Sequence, residues 1–330
     1  MAALSAGCPM HRVGMWIALV IVLLGPGRAG FVTLAHPPQL MTHSGMASAS
    51  AVVAVDSDHF LAASDEDNRI RLYSTLGGAA LTELDVSPWL GLSGRRGEVD
   101  LEGAATLNGL TYWLGSHGRA KDGRARPDRE RLFATRLVTN GSAGSLGALK
   151  VQFVGVPYRR LLEDLIQAPQ LARFHLRAAA TKLPGEGGIN LEGLAAGPAG
   201  ELIIGFRSPV PDGRALLVPL KNPAAMVEGR AAKLGDPILL DLGDLGVRDL
   251  AWSGREWFVI AGRMGGGGTA RLFRWVPGSE SPARVEHSGF KHVNPEAVTV
   301  FGTPESPSLL ILSDDGKRSQ AEFRSFWLVP

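Results

Sequence analysis

Cysteine is almost missing from this sequence: Cys8 is the single one in 330 residues. It lies ahead of the only long apolar run, so the rest of the chain has no disulfide and no thiolate metal site, and packing alone must hold it. Net charge is missing as well, with 34 Lys and Arg against 32 Asp and Glu. A balanced surface excludes nucleic acid, which needs a basic face, and polybasic attachment to lipid. A second long apolar stretch is also lacking. The one present, Val13 to Leu24, is short for a bilayer span and has the length of a signal-peptide core. His11 and Arg12 precede it, and Gly25, Pro26 and Gly27 break it before small residues that suit a signal peptidase. These features predict a signal peptide over residues 1–29 and a mature chain, 30–330, that is periplasmic or secreted and not inserted in a membrane. Retention of the segment as an anchor stays open. Arg12 and Arg28 leave with it and no acid does, so bases and acids balance in what remains.

Catalytic signatures are equally scarce. No G-x-S-x-G elbow, H-E-x-x-H helix or phosphate-binding loop occurs, and the glycine pattern "GPGRAG" (25–30) falls in the cleavage region with no strand before it. Asn140-Gly-Ser is a glycan acceptor only in a eukaryotic secretory route.

What the sequence has is punctuation. The 42 glycines and 21 prolines favour many short turns. Between them stand apolar runs of strand length in sets of four, at intervals of about fifty residues: 50–86, 99–155, 189–243 and 247–290, with three more runs over 293–329. This is the mark of an all-β propeller of five four-stranded blades in a single domain. The fifth set is one strand short. "GFVTLAH" (30–36) belongs to no set and is the expected donor, closing the ring by pairing the two termini. A sixth blade remains an alternative if 155–184 conceals one. We read that stretch as a helical insertion, with Pro157 in the first turn, Leu161, Leu162, Leu165 and Ile166 at helical spacing, and Pro169 ending it.

Three sets open on one tetrad: Asp100-Leu-Glu102-Gly103, Asn190-Leu-Glu192-Gly193 and Asn294-Pro-Glu296-Ala297. Asp249 opens the fourth set. In an antiparallel blade the start of the inner strand and the end of the next share one face, so these acids should ring one mouth of the channel. His117, Arg207, Arg263 and Asp314 close the second strands and join the same rim, as does the loop carrying Arg124. Clustered carboxylates repel unless arginines or a cation intervene. Hard oxygen donors suit Ca²⁺, so Glu102, Glu192, Asp249, Glu296 and Asp314 are the expected metal ligands. Structural pairing with arginines of neighbouring blades is the competing reading of each Glu.

The stretches "INLEGLAAGPAGELIIGFRSPVPDGRALLVPLKNP", "WLGSHGRAKDGRARPDRERLFATRL" and "GVRDLAWSGREWFVIAG" resemble a bacterial family known as domain of unknown function 3616. The likeness implies an exported propeller without a settled activity. The Leu-Glu-Gly opening at Glu102 and Glu192 is also similar to propellers of the esterase-like activity of phytase family, which implies phosphate-ester or carboxyl-ester chemistry. The reading carried forward is a monomeric, metal-assisted hydrolase of small anionic esters. Glu192 and His117 would act as acid or base, and Arg207, Arg263 and Arg124 would bind the substrate. A non-catalytic module gripping a small molecule, saccharide or protein is the alternative, and a glycosidase using two rim carboxylates is a third.

Overall fold

The computed structural model describes residues 39–94, 97–139, 149–279, 281–287, 290, 293–314 and 321–330. The expected signal segment 1–29, strand 30–36 and Asn140 lie outside them. Five sheets follow one another along the chain; each is an antiparallel four-stranded blade, and the fifth also carries a short parallel edge pair of Met41–Ser44 with Gly78–Ala79. From inner to outer strand the first blade is Ala51–Ala54, His59–Ala63, Arg69–Ser74 and Thr82–Asp85. The second is Leu101–Leu107, Leu110–Gly115, Leu132–Thr139 and Leu149–Tyr158. Asn190–Ala196, Leu202–Ser208, Ala215–Leu220 and Ile238–Leu240 form the third. The fourth is Gly246–Trp252, Trp257–Gly262, Arg271–Trp275 and Ala283–Val285.

Local chemistry sets the hairpins. Asn108 and Gly109 join the paired residues Leu107 and Leu110, both with positive φ (51° and 75°), as a two-residue turn between right-twisted strands requires. The five inner strands touch in sequence order, and the fifth meets the first, so the ring is closed. Apolar side chains such as Trp113, Phe133, Phe206 and Phe258 fill the space between blades and are fully buried. There are five blades, and the six-blade alternative falls.

The fifth blade takes its last strand from the other end of the chain, as expected, but not from 30–36. Pro295–Thr303, Ser306–Ser313 and Glu322–Leu328 are completed by Met41–Ser44, in register Met41↔Ser325 through Ser44↔Glu322. His43 explains the choice. Its ring stacks on Phe323 at 4.7 Å, meets Phe60 and Tyr73 edge-on at 5.2 and 5.5 Å, and its Nε2 lies 2.8 Å from Ser325 Oγ. His43 is thus the buried latch of the ring.

The insertion is helical but starts later than 155. Pro157 stays in the outer strand of the second blade, where an edge position tolerates a residue without an N–H. A helix then spans Leu161–Gln167, followed by a 3₁₀ segment at Pro169–Phe174 and a short helix at Leu176–Ala179. Leu161, Leu165, Leu171 and Leu176 are buried against the second and third blades, so the insertion is part of the core.

Burial of His43 depresses its pKa from 6.5 to about 4. The folded state therefore refuses a proton that the unfolded chain accepts below pH 6.5, and stability falls as pH drops from 6.5 towards 4. The loss is about 1.4 kcal/mol per pH unit over that window, or roughly 3 kcal/mol in all. Urea unfolding at pH 7 and pH 4.5 should show it, and His43→Phe, which keeps the ring stack, should lose less stability between the two.

Candidate charged site at the channel mouth

The repeated tetrad is a β-bulge. In four blades one residue near the head of the inner strand has no cross-strand partner. It is Glu102 between the pairs Leu101↔Gly115 and Gly103↔Leu114, and Glu192 between Leu191↔Phe206 and Gly193↔Gly205. In the fourth blade it is Arg248, and in the fifth Glu296. A bulge turns a side chain out of the strict in-out alternation of a strand. The small residue that follows lets the next inner strand come close: a Cβ on Gly103 would lie 2.8 Å from Glu192 O, and one on Gly193 2.5 Å from Leu250 Cδ2.

This register corrects the placement of Asp249, which falls one residue beyond the bulge. Its carboxylate accepts the N–H groups of Leu250 and Val298, each at 2.8 Å, and so clasps the fourth blade to the fifth. Burial pushes its carboxyl well above the usual range. Arg248, overlooked in the sequence, stands where the other blades have Glu.

Two of the three ring glutamates are neutralised by arginine. Arg207, at the end of the third blade's second strand, brings Nη1 to 2.5 Å from Glu192 Oε1 and 3.9 Å from Glu296 Oε1. Its Nε donates to Arg263 O at 3.0 Å. Arg248 pairs with Glu296, and burial together with the nearby Arg207 charge lowers the Arg248 pKa to about 10. Asn190 Nδ2 donates to Glu192 Oε1 at 2.7 Å.

Glu102 has no such partner. Its residue is 9% exposed, and among the described residues no hydrogen bond or ion pair reaches its carboxylate. Burial, and then the charges of Glu192, Asp100 and Asp65, push its pKa well above the usual value. Asp100 accepts from Ser116 Oγ and faces Arg129 Nη1 at 2.8 Å, yet burial raises it to about 7. Asp65 accepts from Ser48 Oγ at 2.8 Å and from Ser50 and Ser64 at 3.4 Å. One oxygen each of Asp65, Asp100 and Glu102 lies within 4.8 Å of the others.

These groups form the floor of a cavity of about 850 Å³. Arg119, Lys121 and Arg126 stand among its walls, and carboxylates outnumber cations along the described lining. Gly185, past the insertion, and Gly265, in the glycine run of the fourth blade, meet over it, with a Cβ on Gly185 3.2 Å from Gly265 Cα.

Several expected site residues stand elsewhere. His117 is buried, with Nδ1 2.7 Å from Gly115 O and Nε2 without a partner among the described residues. Burial takes its pKa down to about 4, so it is a neutral core histidine rather than a rim acid or base. Arg124 is exposed and paired with Asp122 at 2.7 Å. Arg263 is exposed and takes part through its carbonyl rather than its guanidinium. Asp314 bridges to Ser48 and donates its N–H to Asn294 O at 3.0 Å, with its charge felt by Arg207 and Arg248. Asp100 and Arg129 were missed: one passed for the small polar residue that opens the tetrad, the other was hidden among seven charged neighbours in a long loop.

Because Arg207 serves two buried glutamates, Arg207→Ala should cost about 3 kcal/mol of stability, the price of an unpaired buried charge. A thermal melt of the variant at neutral pH checks this, and Arg263→Ala, which keeps the carbonyl, should change the midpoint little.

Solved structures align with this chain at low sequence identity. A GH43 β-1,3-galactosidase crystallised with galactodeoxynojirimycin aligns at TM-score 0.50 and 12% identity, over 86% of this chain and 90% of its own. Glutaminyl cyclase of Myxococcus xanthus aligns at 0.48 and 12%, over 90% and 97%. The exo-β-1,3-galactanase of Phanerochaete chrysosporium aligns at 0.48 and 10%, over 89% and 63%. At such identities the likeness is one of fold alone. No curated protein sequence matches. Residues 140–320, more than half of the chain, match the family described as protein of unknown function DUF3616, and the chain belongs to that family.

Proposed function

We propose that this propeller is a metal-assisted hydrolase of small anionic esters, phosphate or carboxyl, working at the charged mouth. The observation that carries the reading is the unpartnered Glu102 carboxylate on the floor of a cavity sized for a small molecule. Buried charge is normally paired, and the neighbouring Glu192 and Glu296 are; the exception marks the place where something else is held. The floor carries excess negative charge, so an anionic ester settles there only through a bound cation. Lys121, Arg119 and Arg126 higher in the cavity would draw the anion in. Among the described lining residues no aromatic ring offers a sugar face to stack on, which favours an ester over a glycoside. We place the activity outside the cytoplasm, on the strength of the apolar run Val13 to Leu24 and the small residues after it.

A panel of chromogenic phosphate monoesters, phosphodiesters and short carboxyl esters, assayed with and without divalent cation, tests the proposal. Turnover should require the cation and fall about a hundredfold or more in Glu102→Gln. Lys121→Ala should raise KM several-fold and leave kcat nearly unchanged, as expected of a charge that guides approach. Saturable ligand binding without turnover on any ester would make the chain a binding module instead.

A further inference from the structure

We infer that Asp65, Asp100 and Glu102 form a Ca²⁺ site at the channel mouth. The three carboxylates come from two blades: Asp65 follows the second strand of the first blade, while Asp100 and Glu102 open the inner strand of the second. Each of the two aspartates is held by one oxygen only. Asp65 Oδ1 takes the hydroxyls of Ser48, Ser50 and Ser64, and Asp100 Oδ2 takes Ser116 and Arg129. Among the described residues no hydrogen bond or ion pair reaches the other oxygen of either, or the carboxylate of the buried Glu102. Fixing one oxygen and presenting the other is how outer-shell hydrogen bonds orient a metal ligand.

Ligand chemistry favours Ca²⁺. The three oxygens lie within 4.8 Å of one another, and all are hard carboxylate donors. Ca²⁺ accepts such a set in flexible geometry, whereas Mg²⁺ demands a near-ideal octahedron and gives up its waters reluctantly. Three carboxylates leave room in a shell of about six to eight ligands for waters and for a substrate oxygen. Purely structural pairing does not account for the set, because the arginine nearest Glu102 along the ring, Arg207, is already spent on Glu192 and Glu296. The site deepens the hydrolase reading and rests on it only for the cation's part in turnover; occupancy can be read without any substrate.

The test is calorimetric titration of CaCl₂ into EDTA-stripped full-length protein, with thermal melts in EDTA and in CaCl₂. The expected result is one Ca²⁺ per chain, weaker binding of Mg²⁺, and a midpoint raised by several degrees at Ca²⁺ about a hundredfold above Kd. Glu102→Gln should abolish the Ca²⁺ response. In EDTA at alkaline pH the same variant should melt higher than the parent, because ionised Glu102 repels Asp65 and Asp100. That opposite sign separates a lost site from a damaged fold. Asp65→Asn should weaken Ca²⁺ at least about tenfold. No heat and no shift in the parent overturns the site, and so does a Ca²⁺ response that survives both substitutions. Ca²⁺ binding that depends on Glu102, with every ester left intact, keeps the site and removes the hydrolase.

Discussion

One unpaired residue near the head of the inner strand, repeated in four blades, governs the channel mouth. Left in strict alternation, an inner strand would send successive side chains to opposite faces of its blade. The bulge interrupts that alternation at the same height in four blades and turns Glu102, Glu192, Arg248 and Glu296 into one ring. The glycines at 103 and 193 are the other half of the device, since a side chain there would strike the neighbouring inner strand. Charge and shape are thus set by the same two adjacent positions.

The ring is asymmetric, and the asymmetry creates the site. Arg207 and Arg248 cluster between the third and fifth blades, where they neutralise Glu192 and Glu296. On the opposite side the first blade contributes no inner-strand acid or base, but brings Asp65 and Glu66 from the loop after its second strand. Glu102 therefore lies among Glu192, Asp100 and Asp65, with Arg207 acting on it only beyond ion-pair distance, and negative charge accumulates on one flank of the mouth. Polarity of this kind follows from which blade carries which residue at an otherwise equivalent position.

Much of this was legible in the sequence. The four-strand rhythm gave the blade count, because turns written in Gly, Pro, Asp and Asn recur at a fixed period. The tetrad gave the ring of glutamates, because its spacing to the following strand hardly varies. Three things were not legible. Asp249 and Arg248 are adjacent, and only the cross-strand register shows which occupies the bulge. His117 was placed on the rim because it ends a strand, but its Nδ1 turns back to Gly115 O and the ring is buried. Met41–Ser44 escaped notice because four residues with one apolar side chain carry no strand signal; stacking of His43 on Phe323, a contact between opposite ends of the chain, makes them a strand.

The closing blade has a consequence for the order in which the protein comes into being. Met41–Ser44 leaves the ribosome well before its partner, Glu322–Leu328. While the four blades between them are made the early strand stays unpaired, and Glu296 has yet to join Arg248 and Arg207 at the mouth. Contacts of such sequence separation form slowly and late. The first four blades can be assembled, yet the charged ring stays one member short until the fifth blade arrives. The pore's chemistry and the closure of the ring are therefore a single event, timed by that blade.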